Sequence, residues 1–464
     1  MRVGAINHNG ITEGSIWKPL LGFFFPIWMG TFFQQFYNTA DAMIVGRFLG
    51  TSALAAVGAT SSIVSLLVGF FVGLASGASV VIAQYYGAKD RERVSASVHT
   101  AVILALVSGM FFMILGIGTA RLILGVMNTP QDIMDDAMAY IRVYYLGMIP
   151  LMLYDMGTSI LRAIGDSRRP LYFLIASAIA NILLDLLFVA VIPMGVTGAA
   201  LATVLSEAFA CGLTLLCLTK ADGESWQLRL KSLRVSPMQL REMLRLGLPA
   251  GLQSILYTVS NMVIQASINS FGTATVASWT VYGKVDFVYW MTVNAMGLSV
   301  TTFAGQNFGA KKYDRIKKGT LMGLGILAVL TVIISSIMLL LARPLLGLFT
   351  EDKEVMQITL EMMHFLVPTY LTYICVEIFS GAVRGAGDVV APTLMTCFGV
   401  CILRVLWILV AVPLHRTVVM VEWSYPITWS LTSVMYLIYY FHGGWLRRCI
   451  EKQSRTYGDT EGAT

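Results

Sequence analysis

Twelve long apolar stretches constrain the fold of this chain more than any other feature of the sequence. A helix needs about 20 apolar residues to cross the hydrocarbon core of a bilayer. The stretches lie at 20–45, 54–83, 95–118, 134–161, 171–192, 196–218, 246–270, 275–304, 320–342, 355–382, 393–412 and 419–442. They are continuous and do not alternate every second residue, which excludes a membrane β-barrel. The sequence therefore predicts an all-α polytopic membrane protein with twelve transmembrane helices.

The few charges mark the topology of these predicted spans. Only 12% of the 464 residues are charged, about half the share usual in soluble proteins. Of the 32 Lys and Arg residues, 24 lie on segments that face one side of the spans, and five face the other. The positive-inside rule places the richer side, with both termini, in the cytoplasm. Because the basic residues are scattered over many loops, the net charge of +6 does not indicate nucleic-acid binding.

The termini and the cysteines suggest no further processing or cofactor. The first eighteen residues are polar and lack a signal-peptide pattern. The six cysteines form no CxxC pair and no cluster with histidines, so neither a disulfide framework nor a zinc site is expected.

The second half of the chain repeats the first at an offset of about 222 residues. Matching motifs pair residues 50–51 with 272–273, 84–89 with 306–311, 121–125 with 343–347, and 162–170 with 384–392. Six spans per repeat is an even number, so the repeats form parallel lobes about an axis along the membrane normal. We expect a cytoplasmic N-terminal segment at 1–18, an N-lobe at 19–218, a cytoplasmic linker at 219–245, a C-lobe at 246–445 and a cytoplasmic tail at 446–464.

The first span carries a polar face that is unusual for a helix in lipid. Gln34, Tyr37, Asn38 and Asp41 have the spacing i, i+3, i+4, i+7 and share one helix face. Intramembrane ionisable residues are costly and usually functional, which favours a cation or proton site. Polar contact between helices is the alternative. Pro26 removes a backbone hydrogen bond in the same span and predicts a kink.

Two further spans of the N-lobe add oxygen ligands. Asn181 and Asp185 are four residues apart in the fifth span, as are Thr203 and Glu207 in the sixth. Carboxylate, amide and hydroxyl oxygens suit Na⁺ or a shared proton. If Asp41 lies beside Asp185, repulsion between the two charges favours one proton shared by the pair. Helical spacing alone does not establish that proximity.

The acidic site belongs to the N-lobe only, because the repeat positions equivalent to Asp41 and Asp185 are apolar. The C-lobe carries a different set of ionisable residues inside its spans: Lys284, Asp286, Glu377 and Arg404. Two residues apart on a helix means about 200° apart in direction, so Lys284 and Asp286 cannot both face one cavity. We expect one of the two basic residues to balance the charge of Glu377, with substrate contact as the alternative.

With these motifs, the chain resembles the multidrug and toxic compound extrusion (MATE) family over residues 15–445. The motifs that carry the resemblance are Pro26 with Gln-Gln-Phe-Tyr-Asn-Thr-Ala-Asp at 34–41, Val-Gly-Arg-Phe-Leu-Gly at 45–50, Asn181 with Asp185, Gly-Ala-Ala-Leu-Ala-Thr at 198–203 and Gly-Gln-Asn-Phe-Gly-Ala at 305–310. The resemblance implies the MATE fold, two pseudo-symmetric six-helix lobes around a V-shaped cavity. It also implies export of organic cations in exchange for H⁺ or Na⁺.

The resemblance also assigns roles to residues. It implies that the coupling cation, H⁺ or Na⁺, binds at Asp41, Asn181, Asp185 and Thr203, and that bending at Pro26 accompanies protonation in some members. The candidate residues of the substrate cavity are Gln34, Tyr37, Asn38, Glu207, Lys284, Asp286, Glu377 and Arg404. The seventh span lacks the acidic residue of the NorM-like branch and offers Gln253, Asn261 and Gln265 instead, which favours the DinF-like branch.

The sequence thus predicts a monomeric secondary antiporter of the cytoplasmic membrane for small, cationic, amphipathic molecules. It predicts no enzymatic activity, no cofactor beyond the coupling ion and no nucleic-acid partner. One alternative is a flippase for lipid-linked precursors, which would show more than twelve spans or an arginine-rich groove. The other is a non-transporting membrane scaffold, which would need large soluble domains, whereas the longest predicted loop is 219–245.

Overall fold

The computed structural model describes residues 11–127 and 129–461, and these residues form helices with no strand. The helices are α1 (Trp17–Gly87), α2 (Arg91–Val126), α3 (Gln131–Leu146), α4 (Met148–Ala163), α5 (Arg168–Asp185), α6 (Gly195–Thr219), α7 (Pro237–Asn269), α8 (Thr273–Gly309), α9 (Tyr313–Leu340), α10 (Ala342–Gly347), α11 (Lys353–Leu366), α12 (Ile374–Gly385), α13 (Val390–Thr396), α14 (Leu403–Leu414), α15 (Val418–Glu422), α16 (Ser424–His442) and α17 (Trp445–Glu461). Residues 1–10 of the predicted N-terminal segment and 462–464 of the predicted tail lie outside the described residues.

Several of these helices combine into membrane spans. By length and composition, seven segments of the described chain are apolar enough to cross a membrane, or eight if the bent pair α3–α4 is one span. The first of these, α1, is two helices joined at Gly50, where the backbone turns to φ 88° and ψ −176°. The long helices α7 and α8, with α16, complete the set of twelve but are less apolar. The all-α fold with twelve transmembrane helices is therefore confirmed.

Four spans are interrupted by local departures from α-helical geometry. The pair α3–α4 bends by 50° at Gly147. A 3₁₀ turn at Val367–Thr372 separates α11 from α12, and it contains Pro368. π-helical turns at Leu186–Val191 and Cys397–Ile402 follow α5 and α13. Such turns often occur at functional sites, and the first begins directly after Asp185.

The backbone carries the internal repeat at residues with unusual dihedral angles. Gly50 and Gly272 have φ of 88° and 97°, and Gly165 and Gly387 have φ of 104° and 94°. The third pair with positive φ consists of lysines, with φ of 59° at Lys89 and 58° at Lys311. Left-handed φ values favour glycine, so the first two pairs show why those glycines recur at the repeat spacing.

The chain divides into two compact units. Within the described residues, the first unit contains 25–251 and the second contains 11–24 with 252–461. The divisions lie one residue before Pro26 in α1 and two residues after Pro249 in α7. The lobe limits of 19–218 and 246–445 remain a prediction.

In the second unit, a short segment before α1 is held by basic side chains at the start of α9. The Arg315 guanidinium donates hydrogen bonds to the carbonyl oxygens of Ile11, Glu13 and Gly14, at 3.1, 3.1 and 2.7 Å. Lys312 Nζ donates to the Thr12 carbonyl at 2.9 Å. These bonds satisfy backbone acceptors that have no helical partner.

Two polar residues near helix ends, Asp166 and His99, play local structural roles. Asp166 Oδ1 accepts hydrogen bonds from the backbone N–H groups of Arg168 and Arg169 and so caps α5. The same carboxylate pairs with the side chain of Arg169 at 3.1 Å. His99 accepts a bond at Nε2 from the backbone N–H of Arg229, while Nδ1 lies 2.7 Å from the Ser95 carbonyl. This imidazole ties the linker to α2.

Candidate functional site

The first unit brings Asp41 and Asp185 together. Asp41 lies in the first half of α1 and is partly buried, whereas Asp185 ends α5 and has no exposed surface. Their carboxyl groups lie close enough to interact with each other, although no hydrogen bond joins them. Two carboxylates can approach this closely when they share a proton or a cation, since two bare negative charges repel. The proximity that helical spacing could not establish is therefore a feature of the structure.

The oxygens of this pair lack donors among the described residues. Both carboxylate oxygens of Asp185 and Oδ1 of Asp41 are buried without a hydrogen-bond partner. The same holds for the side-chain oxygen and nitrogen of Asn181, which is 1% exposed and one helical turn before Asp185. Buried polar groups are normally hydrogen-bonded. A cluster of four unpartnered oxygens is therefore chemically suited to hold a cation or a proton.

Thr203 lies on α6, the helix that packs against α5. Its hydroxyl donates to the Ala199 carbonyl of its own helix at 3.1 Å, which leaves oxygen lone pairs free to accept. A direct bond joins the two helices nearby, because Ser177 Oγ donates to the Ser206 carbonyl at 2.7 Å. No recorded contact links Thr203 to either aspartate within the described residues.

A second acidic pair occurs in the same unit. Glu207 on α6 interacts electrostatically with Asp155 on α4. Tyr37 interacts with both carboxylates and with Gln34, which lies one helical turn before it. Sequence analysis singled out Glu207, Tyr37 and Gln34 but gave Asp155 no role.

Tyr140 on α3 connects the two acidic pairs. Its phenol interacts electrostatically with Asp41, Asp185 and Glu207. The ring stacks with that of Tyr144 one turn later, with 6.3 Å between the centroids. Sequence analysis missed Tyr140, because one tyrosine among 19 carries no distinguishing pattern. Asn38 and Gln34 are exposed, so the predicted polar face of the first span is only partly enclosed within this unit.

The ionisable residues of the second unit are arranged differently. Lys284 is exposed, while Asp286 is partly buried, in agreement with the opposite directions expected from their spacing. Each oxygen of Asp286 accepts a hydrogen bond: Oδ1 from the Tyr370 hydroxyl, and Oδ2 from Trp290 Nε1 at 2.6 Å. Asp286 is therefore fully partnered, in contrast to Asp185.

The expected charge partner of Glu377 is wrong. Its carboxylate pairs with Arg384 at 3.7 Å, two turns later on the same helix, α12. The expectation of Lys284 or Arg404 considered only basic residues inside the predicted spans, and Arg384 lies just beyond the span at 355–382. The nearby Asp388 accepts bonds from the Tyr439 hydroxyl at 2.5 Å and the Ala391 N–H at 3.4 Å.

The residues present were also compared with the needs of a metal site. No group of three or more His, Cys, Asp or Glu side chains is arranged to hold a metal ion in the described part of the chain. Na⁺ needs fewer charges and accepts neutral oxygens, so the set of Asp41, Asn181 and Asp185 fits it as a transported ion.

Comparison with known proteins identifies the family. The MatE family model matches residues 26–187 and again 249–410, so the second match begins and ends 223 residues after the first. The probable multidrug resistance protein YoeA of Bacillus subtilis is 29% identical over 396 residues, covering 84% of this chain and 85% of that protein. The FAD transporter of Shewanella oneidensis is 26% identical over 360 residues, covering 76% of this chain and 78% of that protein.

The fold is also shared with solved structures. A crystal structure of MATE in the bent conformation aligns with a TM-score of 0.87, at 21% identity, over 98% of this chain and 99% of that chain. The family model, matched twice at the spacing of the internal repeat, accounts for most of the chain. The chain belongs to the MatE family of multidrug efflux transporters, multi-pass membrane proteins that move small molecules.

Proposed function

We propose that the protein is a secondary antiporter that exports organic cations in exchange for H⁺ or Na⁺ entering the cell. The observation that carries the proposal is the contact between Asp41 and Asp185 with their buried, unpartnered oxygens. Such a pair is unstable as two bare anions and becomes favourable when it takes up a proton or Na⁺. Thr203 and Asn181 supply the neutral oxygens of the same site.

Ion binding drives export when the two conformations of the transporter differ in affinity for the ion. A cation that binds Asp41 and Asp185 more tightly in the outward-facing state shifts the population toward that state, where substrate is released. The coupling is reciprocal, so substrate affinity must change by the same factor as ion affinity. No covalent step is involved, and we propose Pro26 as the point where α1 bends.

The remaining parts of the proposal concern placement. The bias of Lys and Arg supports a cytoplasmic membrane location with both termini inside. We propose a monomer with an N-lobe at 19–218 and a C-lobe at 246–445, joined by the linker at 219–245. The acidic residue missing from α7 supports the DinF-like branch.

Proteoliposomes test the proposal with one gradient at a time. Export of a cationic dye from liposomes loaded with it is measured under an imposed pH gradient, then under an imposed Na⁺ gradient. We expect one gradient to accelerate export by the wild type and to have no effect on Asp41→Asn. Asp136→Asn is the matched control, because Asp136 is an exposed carboxylate of the same unit.

Two outcomes contradict the antiport mechanism. One is dye export by Asp41→Asn at the wild-type rate under either gradient. The other is a wild-type rate that neither gradient alters. If neither gradient alters the wild-type rate, a flippase or a non-transporting scaffold is the better-supported function.

A further inference from the structure

The second unit contains a partly open cavity that the acidic site does not use. Its volume is about 430 Å³, within the range of small-molecule sites. Helices α7, α8, α14 and α16 supply the lining. The neutral polar side chains of Asn261, Gln265 and Asn294 lie among aromatic residues there. The cavity has room for a ring system of two or three fused rings.

Arg404 is the positive charge in this lining. It is 2% exposed, and no carboxylate of the described residues forms an ion pair with it. One Nη2 hydrogen bond reaches the Thr428 hydroxyl at 3.3 Å, while the buried Nε–H has no partner. A guanidinium has five N–H donors, and an unpaired buried charge is costly. Arg404 therefore has donors and charge to offer to a ligand.

Aromatic rings stabilise the Arg404 cation without occupying its donors. Its guanidinium carbon lies 4.3 Å from the ring centroid of Tyr425 and 5.9 Å from that of Trp429. Stacking uses the face of the planar guanidinium, whereas the N–H groups point outward from its edge. The edge remains suited to the paired oxygens of a carboxylate or phosphate.

Asp286, the acidic residue of the same lining, does not neutralise the charge of Arg404 through an ion pair. Asp286 uses both oxygens to accept bonds from Tyr370 and Trp290. Both of its oxygens are therefore occupied by donors, and among the described residues no ion pair joins it to Arg404. Lys284, the other basic residue of the region, is exposed and is not part of the lining.

The wall of the cavity suits a planar ligand. Trp279 stands beside Tyr425 with ring centroids 5.9 Å apart, and Trp290 stands beside Trp429 at 5.8 Å. Aromatic rings at these separations accept a further ring by stacking or edge contact. The cavity thus combines an aromatic wall with a guanidinium edge.

We propose that this cavity is a substrate subsite for planar aromatic anions, in which Arg404 binds the carboxylate or phosphate and the aromatic wall holds the ring. The proposal rests on the proposed transport function and extends its substrates from cations to anions and zwitterions. It separates the roles of the two units: the first binds the coupling cation, and the second selects aromatic anions.

Direct binding to purified protein in detergent tests the subsite without any gradient. The probes are 2-naphthoate, 2-naphthyl phosphate and 2-naphthyltrimethylammonium, which share a ring and differ in charge. Calorimetry should show that the wild type binds both anions at least tenfold more tightly than the cation. Comparison of the two anions shows whether the site prefers carboxylate or phosphate. Equal binding of all three, or preference for the cation, overturns the proposal.

Substitution of Arg404 identifies the group responsible. We expect Arg404→Gln to weaken naphthoate binding at least tenfold, and Arg404→Lys to lose less because it keeps the charge without the paired donors. Arg343→Gln is the matched control, since Arg343 is exposed in the same unit. Naphthoate binding by Arg404→Gln at wild-type affinity overturns the proposal.

A pocket-filling variant remains informative if Arg404→Gln does not fold. A Cβ atom at Gly283 meets no atom within 4 Å, and Gly283 lines the cavity. Gly283→Leu should fill the cavity, favour the helix and reduce naphthoate binding at least tenfold. Gly325→Leu is the control, because Gly325 on α9 is equally open but lies outside the lining. Unchanged binding by Gly283→Leu contradicts the assigned location.

The same proteins separate this proposal from the antiport mechanism. Asp41→Asn should lose gradient-driven export of the cationic dye yet bind naphthoate as the wild type does. Arg404→Gln should weaken naphthoate binding in detergent, where no ion gradient acts. If Asp41→Asn exports normally, antiport through that site fails while the subsite stands, provided that naphthoate binding still depends on Arg404.

Discussion

The two halves of this repeat protein treat buried carboxylates in opposite ways. In the first unit, Asp185 is completely buried, and neither of its oxygens has a donor among the residues that the structure describes. In the second, Asp286 has a donor on each oxygen, and Glu377 pairs with Arg384. A satisfied carboxylate stabilises its surroundings, whereas an unsatisfied one destabilises them until something binds. The two units therefore differ in how they treat a buried carboxylate: the second satisfies it with donors, and the first leaves it open to the ion that we propose binds there.

The largest effect should follow from substitution of Asp185, the carboxylate without donors. Asp185→Asn removes the charge that we propose holds the coupling cation, so gradient-driven export should fall by about tenfold or more. Folding should be unchanged or improved, because an unpaired buried charge is lost. Dye export from proteoliposomes measures the loss of transport. Stability is measured by heating the protein in detergent, with thiol labelling of the buried Cys211 as the reporter of unfolding. A large drop in unfolding temperature would make Asp185 a structural residue like Asp286.

Substitution of Asp286, the carboxylate with two donors, should lower stability and leave export unchanged. Asp286→Asn replaces an acceptor of two strong bonds, so the free energy of unfolding should fall by about 1–3 kcal/mol. Cation export per folded molecule should remain near that of the wild type. The same labelling assay, with the buried Cys397 as reporter, measures stability, and export is normalised to folded protein. If instead export disappears while stability holds, the contrast between the units fails.

The smallest effect concerns the connection between the two acidic pairs. Tyr140→Phe removes a hydroxyl that interacts with Asp41, Asp185 and Glu207 but leaves the ring and its stacking with Tyr144. Loss of one such interaction should change the apparent affinity for the coupling ion by about two- to fivefold. Export measured at a series of pH values or Na⁺ concentrations gives that affinity. Tyr144→Phe, which keeps the same stack, serves as its comparison.

Sequence reasoning succeeded where the signal lies within one helix. Apolar length gave the twelve spans, the spacing of Asn181 and Asp185 gave a shared face, and that of Lys284 and Asp286 gave opposite faces. Each of these follows from the helical period of 3.6 residues. The repeat was also visible, because left-handed backbone positions such as Gly165 and Gly387 constrain residue type.

The sequence was uninformative where the answer depends on which helices are neighbours. The partner of Glu377 was misassigned, and Asp155 and Tyr140 were left without a role, because periodicity does not say which face meets which. The break between α3 and α4 at Gly147 further changes the direction of both. The lack of an ion pair at Arg404 was similarly invisible, since it depends on how the side chains of four surrounding helices are arranged in space.

The segment before α1 has a consequence for how the chain is made. Ile11 bonds to Arg315, a residue 304 positions later, so the ribosome releases the first partner long before the second exists. Synthesis at about 5–20 residues per second leaves Ile11 to Gly14 without their partners for roughly 15–60 s. The docking of this segment can occur only after α8 and the start of α9 have emerged. In pulse-chase proteolysis, the time at which Ile11 to Gly14 become protected would therefore report when the second unit has folded.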